Sequence, residues 1–151
     1  MINSIKGMVY MNNIAATFKE KKLKLTPQRI AVYEYLKSTK EHPSAEVIYK
    51  ALQVNYPTMS LATVYKALKT LVEVNLVQEI NVGEGNFRYD GNVCPHSHIQ
   101  CLQCGRVDDI EDVCFQDLNE KIAPHTDYDV LTNQVYFYGI CKDCKNILDL
   151  L

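Results

Sequence analysis

Apolar positions recur with helical spacing through the first half of the chain. Ile14, Ala15, Phe18 and Leu23 follow that period and predict a helix over Asn12 to Lys22. Thr26 followed by Pro27 has the character of an N-cap and a first helical position, so a second helix is expected through Leu36. Ser44 caps a third, with Ala45, Ile48, Ala51 and Leu52 on one face, ending near Tyr56-Pro57. Ser60 caps a fourth, Leu61 to Val74. Its stripe is Leu61, Val64, Leu68, Leu71 and Val72, while Thr63, Tyr65, Lys66 and Lys69 point elsewhere. The period then changes. Leu76 to Val82 is β-branched and roughly alternating, Gly83-Glu84-Gly85-Asn86 is a turn, and Phe87 to Asp90 returns as the partner strand. Helices followed by a hairpin predict a winged helix-turn-helix.

Gly91 to Pro95 is the best hinge. Beyond it, His98 to Leu102 and Arg106 to Ile110 are short strand candidates, Phe115 to Ala123 is helical, and Val130 to Ile140 is mostly extended. The expected fold class is α+β. A winged-helix domain occupies residues 1–90, with 1–10 as an N-terminal extension, and a small α+β domain occupies 96–151 after the hinge at 91–95. At 151 residues, 47% hydrophobic and 23% charged, the chain has ordinary globular composition, which excludes a disordered tail. Its longest uncharged stretches are too short and too polar to span a bilayer core of about 30 Å, and the N-terminus has no secretory pattern. No membrane association is expected, and a cytoplasmic location is.

Charge divides the same way as the predicted elements. Residues 1–82 carry eleven Lys or Arg against six Asp or Glu, a net +5; residues 83–151 carry five against twelve, a net −7. A basic half suits a polyanion. The N-terminal end of a helix in the major groove needs short polar groups for base edges and hydroxyls or cations for phosphates. Ser60, Thr63, Tyr65 and Lys66 meet that description, and Arg29, Lys19, Lys21, Lys22 and Lys24 can add phosphate contacts. Double-stranded DNA is therefore the expected partner. The competing view is an amphipathic helix whose polar face meets only water.

Six cysteines in a cytosolic chain point to metal or redox chemistry rather than disulfides. Cys101-x-x-Cys104-Gly105 and Cys141-x-x-Cys144 each put two thiols in one tight turn, as tetrahedral zinc requires, and together they complete a Cys₄ site. The 36 residues between the pairs exceed a zinc ribbon's spacing, so the fold must close the site. Redox dithiols are the rival, but they lack a βαβ setting. Cys94 and Cys114 stay unassigned. Directly before the first knuckle, His96-Ser97-His98 places two imidazoles on one side of an extended segment. Asp90, Asp109 and His42 can complete a mixed nitrogen and oxygen set suited to Fe²⁺ or Mn²⁺, with Zn²⁺ and Ni²⁺ as competitors. The alternative is surface histidines beside solvated carboxylates.

Taken in order, Leu25-Thr26-Pro27-Gln28-Arg29, His42-Pro43-Ser44-Ala45, Ser60-Leu61-Ala62-Thr63-Val64-Tyr65, His96-x-His98-x-x-Cys101-x-x-Cys104-Gly105 and Tyr138-Gly139-Ile140-Cys141-x-x-Cys144 resemble the ferric uptake regulator family from Asn12 to Cys144. The resemblance implies a homodimeric repressor, not an enzyme, whose C-terminal domain dimerises. It implies a structural zinc on Cys101, Cys104, Cys141 and Cys144. It also implies regulatory Fe²⁺ or Mn²⁺ on His42, Asp90, His96, His98 and Asp109. Aspartates at 90 and 109, where iron-uptake repressors usually carry glutamate, are similar to the peroxide-sensing branch. Gln116 and Gln134 leave the family's extra metal site incomplete, and Ile110 departs from a usual phenylalanine. In that branch, palindromic operator DNA is released after iron-catalysed oxidation of His42 or His96. The alternatives are an iron-responsive repressor of iron-uptake genes without peroxide sensing, a non-haem iron enzyme that would need a substrate pocket, and a thiol switch through Cys94 and Cys114.

Overall fold

The computed structural model describes residues 13–148 apart from 84, 95, 111–114, 116 and 132. Helix α1 covers residues 13–20. It is followed by α2 (Pro27–Lys37), α3 (Ala45–Gln53) and α4 (Leu61–Glu73). Their starts are set locally. Thr26, Ser44 and Ser60 lie in extended conformation, and each hydroxyl accepts a hydrogen bond from the backbone N–H three residues on, at 3.3, 3.4 and 3.2 Å. Such caps satisfy donors that the first helical turn leaves without partners, typically worth about 1 kcal/mol each. The predicted stripes then meet in one core that includes Phe18, Val32, Leu36, Ile48, Leu68 and Leu71, all fully buried.

Strands β1 (Gln78–Asn81) and β2 (Phe87–Asp90) form the antiparallel wing, with Gln78 opposite Asp90. Tyr89 packs in the helical core, and its backbone N–H donates to the Pro43 carbonyl at 3.0 Å, so the wing is tied to the loop that precedes α3. Asp90 thereby ends the wing beside His42.

The second half contains a three-stranded sheet in the order β4-β3-β5, made of β3 (Ser97–Cys101), β4 (Val107–Ile110) and β5 (Tyr136–Gly139). The β3–β4 pair is antiparallel and places His98 opposite Asp109; β3–β5 is parallel. Helix α5 (Leu118–Ile122) runs into a 3₁₀ turn at Ala123–His125, and α6 (Lys142–Leu148) follows β5. Three boundaries differ from the sequence expectation. Helix α5 begins at Leu118 rather than Phe115, with Asp117 at its N-cap position. Only Tyr136–Gly139 of the segment 130–140 pairs as a strand. Helix α6 was not anticipated, because Cys141-Lys142-Asp143-Cys144-Lys145-Asn146 shows no apolar stripe.

The two halves bury different things. The apolar core consists of residues 14–89, whereas the second half's buried groups among the described residues are Ser97, His98, Cys101, Val107 and Cys144. Where the halves join, Gly91 lies against the C-terminal end of α2, and a Cβ there would sit 2.8 Å from the Leu36 carbonyl oxygen. The Lys37 ammonium donates to the Gly91 carbonyl at 3.2 Å. Glycine is needed here for close approach. Gly91→Ala should lower stability by about 1–3 kcal/mol, the usual cost of overpacking against backbone that cannot yield, as a shifted midpoint in urea denaturation.

Candidate metal centres

The four knuckle cysteines converge, with their sulfur atoms all within 4.8 Å of one another. Gly105 makes the first knuckle possible: at φ +73° its N–H turns back to the Cys101 carbonyl at 2.8 Å. The second thiol pair comes from the start of α6 and the residue before it. The Cys104 and Cys141 sulfurs are 3.8 Å apart, and a tetrahedron with Zn–S bonds of about 2.3 Å has edges of about that length. Backbone N–H groups, first that of Cys141, draw the Cys101 thiol down to about 6; hydrogen bonding with Cys141 and then burial push Cys144 up to about 12. Four thiolates cannot be held together without a cation. The cluster fits structural zinc, a site worth on the order of 10 kcal/mol or more of folding free energy at neutral pH.

The second cluster takes one residue from each of five places. His42 lies between α2 and α3, in the left-handed region at φ +49°, and is buried. Asp90 ends β2, His96 precedes β3, and His98 and Asp109 face each other across β3 and β4. One ligand atom from each lies within 4.8 Å of all the others. Asp90 Oδ2 is 3.7, 3.0 and 3.6 Å from Nε2 of His42, His96 and His98; Asp109 Oδ1 is 2.8, 3.0 and 3.6 Å from the same atoms. All five atoms are buried, and not one has a hydrogen-bond partner.

The surroundings aim these lone pairs inward. His42 Nδ1 lies 3.1 Å from the Val107 carbonyl and His96 Nδ1 lies 2.7 Å from the Cys94 carbonyl. A carbonyl only accepts, so each Nδ1 carries the hydrogen and each Nε2 offers a lone pair, as metal-binding imidazoles require. Asp90 Oδ1 accepts from the Asn92 backbone N–H at 2.7 Å, leaving Oδ2 for the cluster. Burial works against the Asp90 carboxylate, but the His42 and His98 imidazoles beside it override that and hold its pKa well below the usual carboxylate range. Burial likewise opposes protonated His42, yet the Asp90 and Asp109 carboxylates beside it raise its pKa above 6.5. Unpaired buried polar atoms cost roughly 1–3 kcal/mol each. A divalent cation removes that cost for all five, and three imidazoles with two carboxylates fit Fe²⁺ or Mn²⁺.

On α4, Ser60, Tyr65 and Lys66 are exposed and Thr63 is half-buried. The Ser60 hydroxyl is engaged as the helix cap, and the Tyr65 hydroxyl donates to Glu46 on α3. Arg29 is half-buried, and its Nη1 donates to the Lys24 carbonyl. Cys94 is exposed and meets the histidine cluster only through its carbonyl. Cys114 and Gln116 lie outside the described residues, and Gln134 is exposed. The carbonyls of Val107 and Cys94 and the N–H of Asn92 carry no signal in sequence, because every residue type supplies the carbonyl and every one but proline the N–H.

Residues 20–138 match the model of the Ferric uptake regulator family. The chain belongs to that family. A PerR transcriptional regulator of Clostridium acetobutylicum is 73% identical over 136 residues, covering 90% of this chain and 99% of the relative. The peroxide-responsive repressor PerR of Staphylococcus aureus is 37% identical, covering 87% and 88%. Among solved structures, the peroxide stress regulator of Campylobacter jejuni superposes with a TM-score of 0.65 at 33% identity, covering 89% and 98%. This member of the ferric uptake regulator family has both clusters intact: one fits structural zinc, the other regulatory Fe²⁺ or Mn²⁺.

Metal binding at the second cluster should displace the His42 proton. In the metal-free state, the ion pairing of protonated His42 stabilises the fold below pH 6.5 and is lost as pH rises through its elevated pKa; the Asp90 contribution runs oppositely and is lost in acid. Mn²⁺ added near pH 7 to zinc-loaded protein should therefore release protons, measured by calorimetry in buffers of different ionisation enthalpy. His42→Ala should reduce both the release and the Mn²⁺ affinity.

Proposed function

We propose that this chain is a metal-dependent transcriptional repressor that responds to hydrogen peroxide, acting as a homodimer on palindromic operator DNA in the cytoplasm. It is a regulator and not an enzyme. The observation that carries the reading is the convergence of five buried, unpartnered ligand atoms from both halves of the chain. Residues 1–90 are the DNA-binding domain, 91–95 the hinge and 96–151 the dimerisation and metal domain. Several features support this division. The apolar core ends at Tyr89. Few apolar side chains are buried beyond that point, while Leu102, Tyr128, Leu131, Tyr138 and Ile147 are well exposed there. A second copy covering such residues accounts for a half without its own apolar core. No helix among the described residues is long and apolar enough to cross a membrane.

Cys101, Cys104, Cys141 and Cys144 hold structural zinc; His42, Asp90, His96, His98 and Asp109 hold regulatory Fe²⁺ or Mn²⁺. With the ligand set complete, His42 and Asp90 from the first half are held against three ligands of the second. This orients the two winged helices of a dimer for two half-sites. Arg29, Ser60, Thr63, Tyr65 and Lys66 meet the DNA, with Tyr65 braced by Glu46. Iron held by these residues would supply the redox chemistry by which hydrogen peroxide adds one oxygen atom to a ligand imidazole, His42 or His96, the other oxygen leaving as water. The altered ring no longer presents its lone pair as before, so the population moves to forms with low operator affinity. Peroxide sensing is favoured over iron sensing alone by aspartate at both 90 and 109 and by the similarity to peroxide-responsive relatives.

Zinc-loaded protein bound to a selected palindromic duplex should be challenged with dilute hydrogen peroxide in its Fe²⁺ and Mn²⁺ forms. The Fe²⁺ form should release the DNA and gain the mass of one oxygen atom at His42 or His96, and dithiothreitol should not reverse it. The Mn²⁺ form should stay bound. Unmodified histidines with DNA retained in both forms would identify an iron-responsive repressor instead; reversal by dithiothreitol would identify a thiol switch.

A further inference from the structure

The ligand cluster is buried, yet it has two ways out to solvent, and they differ in which ligands they reach. A cavity of about 250 Å³ lies beneath the C-terminal end of α2, walled by Lys37, Thr39 and Lys40 and floored by Asp90, His96 and Asp109. A larger one, about 610 Å³, lies between the first half and the sheet; it reaches His96 and His98 but neither carboxylate. His42 lines neither. The side chains of Asp109 and His96 keep 16% and 11% exposure, against 7% for Asp90, 5% for His98 and 1% for His42. The cluster is therefore open toward the carboxylate side, and the smaller cavity is the opening that faces it.

We propose that the cavity beneath α2 is the access route to the ligand cluster for the metal ion and for hydrogen peroxide, with Lys37 as its strap. Two physical arguments carry the assignment. A divalent cation leaving or arriving is passed between carboxylates more cheaply than past imidazoles alone, because the negative charge compensates for its lost hydration. Only the smaller of these two cavities exposes both Asp90 and Asp109. Its volume also exceeds that of hydrogen peroxide several-fold, a water molecule occupying about 30 Å³ in the liquid, so a small uncharged oxidant fits in it. Across this opening, the bond between the Lys37 ammonium and the Gly91 carbonyl joins the end of α2 to the hinge. That bond keeps the walls together and lets the hinge conformation set the width of the route.

The peroxide half of this proposal rests on the sensing function above, but the metal half does not, and the experiment separates them. Thr39→Trp and Lys40→Trp, neither at a ligand position, fill the cavity from its rim, and Asn133→Trp fills the larger cavity as a control. Each zinc-loaded variant is charged with Mn²⁺ and mixed with excess chelator, and the rate of Mn²⁺ release is followed. Either rim substitution should slow release at least fivefold, Asn133→Trp should leave it within twofold, and Lys37→Met should speed it severalfold while Lys37→Arg restores the native rate. In the Fe²⁺ forms, the rate of histidine oxidation should change in parallel. Release unchanged by both rim variants, or slowed by Asn133→Trp alone, overturns the route. If release follows the prediction while no histidine gains oxygen in any variant, the route for metal stands, the peroxide half of this proposal is overturned, and the sensing function fails with it.

Discussion

Five lone-pair-bearing atoms meet in a space that water and hydrogen-bond donors scarcely reach, and the rest of the molecule is arranged around that cost. Two are carboxylate oxygens and three are imidazole nitrogens, and all lack hydrogen-bond partners. Backbone groups outside the cluster hold these orientations: the carbonyls of Val107 and Cys94 fix two imidazole tautomers, and the Asn92 amide occupies the other Asp90 oxygen. Such an arrangement is expensive without a cation and favourable with one. It also joins distant pieces of chain, since His42 and Asp90 belong to the winged-helix half and the other three ligands to the sheet half. A cation held by all five would tie metal occupancy to the relative position of the halves, as the proposed function requires.

The halves solve the problem of stability differently. The first has caps, amphipathic helices and an apolar core of its own. The second buries two of its cysteines, one valine, Ser97 and His98, so zinc at the knuckles and the cover of a second copy are what the proposed function asks to hold it together. Keeping the structural metal in thiolates and the regulatory metal among oxygen and nitrogen donors separates a permanent function from a reversible one by ligand softness. On the proposed reading, zinc would stay in the thiolate site while the harder site would exchange its metal and be open to oxidation.

What was legible in sequence follows from what is local. Thr26, Ser44 and Ser60 announced the helix starts because a cap acts within three residues, and Gly83 to Asn86 announced the wing turn. The paired CxxC motifs were legible because two thiols per turn is itself the chemistry. In the five-residue cluster, His96 and His98 stood out by proximity in sequence, with Asp90, Asp109 and His42 as candidates to complete the set; that all five serve one site was what the family resemblance implied, since no periodicity brings them together. The parallel pairing of β3 with β5 and helix α6 were not legible: the first depends on a crossover of more than thirty residues, and the second is a short polar helix that begins at the second zinc knuckle. The backbone groups orienting the histidines were not legible at all, as every residue type carries them.

The account depends on one metal ion being shared by both halves. Anomalous diffraction from crystals of the zinc-loaded protein grown with Mn²⁺, with data collected on both sides of the manganese edge, tests that directly. A single manganese peak bonded to His42, Asp90, His96, His98 and Asp109 is the predicted result. Manganese bound only to residues of one half, with His42 and Asp90 turned away, would contradict it.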